Sequence, residues 1–125
     1  MPTILIVEDD RALAHMICDV LDEYGYEVVV AGDGLKALEI LKNLQPDMIL
    51  CDEMMPNLAG HTLCGILNAH EQYSSIPVVL MSARHIQTIP APDTCLMFMR
   101  KPFTHDDLLN TISDVLGYTP PLYPN

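Results

Sequence analysis

Basic residues are scarce in this chain: six Lys and Arg stand against seventeen Asp and Glu in 125 residues, a formal charge of -11. A nucleic-acid-binding surface needs clustered cations to neutralise phosphates, so direct nucleic-acid binding is not expected. Paired cysteines are missing as well. Cys18, Cys51, Cys64 and Cys95 are scattered among apolar residues with no Cys-x-x-Cys spacing, which argues against a disulfide framework or zinc site and for small hydrophobes in a reducing compartment. No apolar run reaches membrane-spanning length, and Met1-Pro2-Thr3 leads into the first apolar run without a charged and apolar signal segment. A cytoplasmic protein without membrane contact is expected. The chain shows no internal repeat or low-complexity tract, and His15, His61, His70, His85 and His105 have no paired metal spacing and are expected at the surface.

What the chain does have is a series of short apolar runs that end in reactive residues. Glu8 and Asp9 follow Ile4-Leu5-Ile6-Val7, and Asp52 follows Met48-Ile49-Leu50-Cys51. Ser82 follows Val78-Val79-Leu80-Met81, and Lys101 with Pro102 follows Leu96-Met97-Phe98-Met99-Arg100. Continuous apolar runs read as parallel strands buried on both faces. Their carboxylates then gather at one sheet edge, where a carboxylate cluster with one hydroxyl and one ammonium suits a divalent cation and a phosphoryl group.

Helical segments alternate with these runs. Leu13, Met16, Ile17, Val20 and Leu21 recur at helical spacing after Asp10, a good N-cap, and Gly25 can close that helix. Glu27 to Ala31 reads as strand two. The next helix carries Leu35, Leu38, Leu41 and Leu44 and is expected to stop at Pro46. A loop with Pro56 and Gly60 precedes a helix with Leu63, Ile66 and Leu67, and strand four is expected from Pro77 to Met81. Between Ser82 and strand five, Pro90 and Pro92 deny a helix its hydrogen bonds, which predicts a short or irregular fourth helix. Thr104 caps the final helix, Asp106 and Asp107 occupy its first turn, and Gly117 ends it. Residues 118–125 hold three prolines and read as a tail or linker. Alternating strands and helices imply an α/β domain with a parallel sheet covered on both faces.

Four motifs in order, Ile6-Val7-Glu8-Asp9, Asp52-Glu53-Met54-Met55-Pro56 with Gly60, Ser82-Ala83-Arg84 and Lys101-Pro102-Phe103, closely resemble the receiver (CheY-like) domain of response regulators, from Ile4 to about Leu116. The resemblance implies a flavodoxin-like five-stranded sheet in the order 2-1-3-4-5, with a receiver domain over residues 1–117. The chain is too short for an effector domain beside it. In that order strands one and three are neighbours, so Glu8, Asp9 and Asp52 meet at the switch point where ligands bind.

The resemblance further implies Asp52 as phosphoacceptor. Asp9, Asp52 and the Met54 carbonyl are expected to ligate Mg2+, with Glu8 acting through a water. Lys101 and Ser82 are implied to contact the phosphoryl oxygens, with a cis Lys101-Pro102 peptide aiming the ammonium. Ser82 and Phe98 are the implied switch pair, although Phe98 reads equally as a core aromatic. The implied partners are a sensor histidine kinase or histidine phosphotransfer protein, and a downstream protein target or attached output domain. On this reading the protein is a phosphoacceptor signalling domain with Mg2+-dependent self-phosphorylation and autodephosphorylation, not a turnover enzyme.

Three other readings compete. A haloacid-dehalogenase-like phosphohydrolase needs Asp-x-Asp at its first strand, where this chain has Glu8-Asp9-Asp10. A flavin module needs a phosphate-binding first loop that these acids would repel. A degenerate receiver serving only as an interaction module is opposed by retention of Glu8, Asp9, Asp52, Ser82 and Lys101. Only eighteen residues separate Ser82 from Lys101, a departure that bears on the fourth helix and on the usual output or dimerisation surface.

Overall fold

A computed structural model of the chain describes residues 1–83 and 95–117, with the side chains of residues 95 and 96 left aside. The segment expected to hold a short or irregular fourth helix and the tail from residue 118 lie outside the described residues. Among the described residues, five strands and four helices follow one another: β1 (Thr3–Val7), α1 (Arg11–Glu23), β2 (Glu27–Ala31), α2 (Gly34–Leu41), β3 (Met48–Asp52), α3 (Gly60–Asn68), β4 (Val78–Ser82), β5 (Cys95–Arg100) and α4 (His105–Leu116). The strands form one parallel sheet in the order β2-β1-β3-β4-β5, the flavodoxin-like arrangement expected from the sequence.

Successive strand residues face opposite sides of a sheet, and the all-apolar runs use both sides. Leu5, Val7, Ile49, Cys51, Val78 and Leu80 pack with Ala37 and Leu41 of α2 and Leu63, Cys64 and Leu67 of α3. Ile4, Ile6, Met48, Leu50, Val79 and Met81 pack on the other side with Ile17, Val20 and Leu21 of α1 and Leu108 and Ile112 of α4. Burying each large aliphatic side chain contributes roughly 1.5–3 kcal/mol, so both layers are needed to hold the sheet. Cys51 and Cys64 are buried, as small hydrophobes would be, and Cys18 is half-buried.

Helix ends follow the local chemistry. Asp10 caps α1, its carboxylate accepting from the Ala12 and Leu13 amides at 3.0 and 3.2 Å, and Gly25 takes φ +86° just beyond the helix. Thr104 and Asp107 form a reciprocal capping box on α4, which ends at Gly117 in the left-handed conformation. The second helix departs from the sequence expectation. It stops at Leu41, short of Leu44, as the Lys42 and Asn43 amides tighten to i→i+3 bonds with Glu39 and Ile40. The Leu41 carbonyl, freed from the helix ladder, accepts instead from the Tyr73 hydroxyl at 3.2 Å. Strand four also shifts by one residue, taking in Ser82 and leaving Pro77 outside.

Candidate functional site

The sheet register carries the reactive residues to one edge. Val7 lies opposite both Ala31 and Cys51, so Glu8 follows β1 level with Asp52, the last residue of β3. Asp52 pairs with Met81, Ser82 pairs with Arg100, and the Lys101 amide donates to the Ser82 carbonyl at 2.8 Å. Four strand ends therefore deliver Glu8, Asp9, Asp52, Ser82 and Lys101 to the carboxyl edge of the sheet. Glu8, Asp52 and Ser82 are buried, whereas Asp9 is exposed.

One carboxylate oxygen from each of Glu8, Asp9 and Asp52 lies within 4.8 Å of the others. The Lys101 ammonium lies 3.0 Å from Asp52 Oδ1 and 3.2 Å from Glu8 Oε1. Its Lys101-Pro102 peptide is cis. The second Glu8 oxygen accepts from the Asp10 amide at 3.1 Å, and Asp52 Oδ1 accepts from the Met54 amide at 3.4 Å. The Met54 side chain points outward and is 61% exposed. Phe98 lies opposite Leu80 in the register and packs, half-buried, against the α2 and α3 side of the sheet.

Electrostatics follow from this crowding. Burial pushes the Glu8 carboxyl up to about 7, the Asp10 amide opposes the rise, the Asp52 charge adds to it, and Lys101 opposes it. For Lys101, burial works to lower the ammonium, but the hydrogen bond to Asp52 and the charges of Glu8 and Asp52 outweigh it and raise the group. Hard carboxylate oxygens clustered around a shared centre are the donor set that Mg2+ takes, and a divalent ion would offset both the burial and the Asp52 charge that raise the Glu8 carboxyl. The residues present fit the ion.

Two further residues at this edge were not singled out by sequence. Glu53 directly follows the phosphoacceptor candidate and is buried, its Oε1 in contact with His61 Nδ1. His61 keeps 31% of its side chain exposed while its ring meets the buried Glu53, a contact the sequence reading did not include. His15, His70 and His105 are exposed as expected, and His85 lies outside the described residues. A signal for Glu53 existed, since adjacent strand residues face opposite sides and Asp52 and Glu53 cannot both point into one cluster.

Gly60 closes the loop behind Asp52. A Cβ there would sit 2.5 Å from the Asp52 carbonyl oxygen and 2.9 Å from Glu53 Cα, both backbone atoms that cannot swing away. Gly60→Ala is expected to lose about 1–3 kcal/mol of stability in urea unfolding and to displace the site loop. A variant as stable as wild type would show that this approach is not tight in solution.

The fold and site together define a doubly wound α/β domain with an acidic cluster and one ammonium at its switch point. The chain belongs to the response regulator receiver domain family, whose model matches residues 4–113. Among curated relatives, it is 40% identical over 83 residues to the DNA-binding dual master transcriptional regulator RpaA of Synechocystis, covering 66% of this chain and 34% of that protein. It is 29% identical over 118 residues to hybrid signal transduction histidine kinase D of Dictyostelium discoideum, covering 92% of this chain and 8% of that protein. A solved structure of a putative response regulator from Chloroflexus aurantiacus matches with TM-score 0.84 and 33% identity over 94% of this chain and 98% of that one. The chain thus spans about a third or less of the length of these curated relatives. Receiver domains are signalling modules of two-component systems rather than turnover enzymes, they interact with histidine kinases and output domains, and they generally bind Mg2+ at an acidic pocket. No helix among the described residues is long and apolar enough to cross a membrane.

Proposed function

We propose that Asp52 accepts a phosphoryl group from a phosphohistidine on a sensor histidine kinase or histidine phosphotransfer protein. The observation that carries this reading is the 3.0 Å contact between Lys101 and Asp52 inside the cluster of Glu8, Asp9 and Asp52. Asp9, Asp52 and the Met54 carbonyl would hold Mg2+, with Glu8 acting through a water. When bound, the ion supplies positive charge that offsets the phosphoryl oxygens and orients the carboxylates.

The chain's own residues do the rest. One Asp52 oxygen is the nucleophile: it bonds to phosphorus as the P–N bond of the donor breaks, and the histidine leaves with the bonding pair. Phosphoryl transfer has a loose transition state, so the protein's task is to place groups and balance charge. Lys101 is already held beside Asp52 and is placed to neutralise an oxygen of the incoming group. Ser82 donates its hydroxyl to a second oxygen. Phe98 follows the movement of Ser82 and reports it to a downstream protein or an attached output domain.

On this reading residues 1–117 are the receiver, residues 118–125 a tail or linker, and the protein works in the cytoplasm. The charge of -11 supports a domain that does not itself touch DNA, the DNA-binding relative being about twice as long. Incubating the protein with acetyl phosphate and Mg2+ should add one phosphoryl mass, stable to acid and released by hydroxylamine. Rapid turnover of many phosphomonoesters would favour a phosphohydrolase, and no adduct at all would favour an interaction module.

A further inference from the structure

Glu53 is an uncommon residue to find where it is. It is 1% exposed, and its Oε2 has no hydrogen-bond partner among the described residues. A carboxylate buried in this way costs stability unless its contacts return something else. Its contacts among the described residues tie the end of β3 to β4 and to the start of α3. The Glu53 amide donates to the Met81 carbonyl of β4 at 2.9 Å, and its carbonyl accepts from the Gly60 amide at 3.0 Å. Its Oε1 receives both the His61 amide, at 3.4 Å, and the His61 ring at Nδ1.

The first turn of α3 needs such an acceptor. Its N-cap is Ala59, which has no side-chain oxygen to give, and no side-chain cap bond is made there. Glu53 reaches across the loop and supplies the missing acceptor, with its charge at the favourable end of the helix. The loop of residues 54–59, which carries Met54, is thereby closed at both ends: at Asp52 through the Met54 amide, and at α3 through Glu53 and His61.

We propose that the Glu53–His61 pair is a positioning latch, which fixes the loop carrying Met54 against Asp52 and so sets metal affinity and phosphoryl lifetime. The inference rests on the phosphoacceptor reading of Asp52. Glu53 and His61 touch neither metal nor phosphate; they act through the loop.

A Glu53→Leu/His61→Leu double variant tests it, because removing both partners orphans neither charge in the interior. This variant should melt only slightly below wild type, by the acceptor lost from the first turn of α3, whereas His61→Leu alone, which leaves Glu53 buried without its ring partner, should melt well below it. A purely structural pair would stop there. The latch further requires the double variant to bind Mg2+ about 10–100-fold more weakly by calorimetry, as loss of outer-sphere support does elsewhere. It also requires faster amide exchange over residues 54–59 and a changed phosphoryl half-life, with Glu53→Gln, which keeps an acceptor oxygen, close to wild type. Mg2+ affinity and half-life unchanged in the double variant would overturn the latch. If the double variant does not fold, Glu53→Leu carries the same measurements, since the vacated His61 can turn to water. A wild type that takes up Mg2+ but no phosphate overturns the acceptor reading alone, and the affinity comparison still decides the latch.

Discussion

Asp52→Asn is expected to reduce the acetyl phosphate adduct at least about a hundredfold while leaving the fold intact. The substitution keeps the shape and one oxygen of the side chain, so the hydrogen bond from the Met54 amide and the packing at the end of β3 survive. It removes the charge that makes the oxygen a nucleophile, and an amide oxygen is also a poorer donor to a hard cation. Three other carboxylates lie close enough to be asked whether they could substitute. Glu8 is held at both oxygens, by Lys101 and by the Asp10 amide, and burial keeps its proton on to about pH 7. Glu53 is occupied by His61. Asp9 is exposed, and among the described residues no ammonium contacts it as Lys101 contacts Asp52. Intact-mass measurement with peptide mapping checks the outcome. A full adduct in Asp52→Asn, mapped to any of these three, would remove Asp52 from the role.

How legible this site was in the sequence depended on the distance over which each residue is determined. Strand ends were readable because Ile4–Val7 and Met48–Cys51 are apolar on both faces, and a polar residue at once after such a run must sit at the sheet edge. Asp10 and Thr104 were readable as caps because capping is chemistry within three residues. The end of α2 was not, since the Tyr73 hydroxyl that occupies the Leu41 carbonyl comes from a loop 32 residues later. The contact of His61 with Glu53 was not legible for the same reason. Eight residues and a loop between β3 and α3 separate His61 from Glu53, so no one element places the two, and only the return of the chain through Gly60 brings them together. The sheet order and the placing of Lys101 beside Asp52 came from the whole set of motifs, while the ion pair of Lys101 with Glu8 was not read from the sequence.

Stability of the metal-free protein should carry the mark of Glu8. Its carboxyl is raised from 4.5 to about 7 by burial, so between those values the folded state holds a proton that the unfolded state has lost. The contribution is fully present below about pH 4.5 and is lost as pH rises through about 7. One pKa unit corresponds to about 1.4 kcal/mol, which places the loss at about 3 kcal/mol at most. Lys101, raised from 10.5, titrates above this window and does not blur it. Glu8→Gln keeps a neutral acceptor for the Asp10 amide and for Lys101 but has no proton to lose. Urea midpoints in EDTA at pH 5 and pH 8 should therefore fall more for wild type than for Glu8→Gln. Mg2+ at about a hundred times its dissociation constant should add about 2.7 kcal/mol to wild type. The gain should be larger at pH 8 than at pH 5, because the ion stabilises the ionised carboxylates that pH has exposed. It should largely vanish in Asp9→Ala. An equal pH-dependent fall in wild type and Glu8→Gln would show that another group sets the slope, and an undiminished Mg2+ gain in Asp9→Ala would place the ion elsewhere.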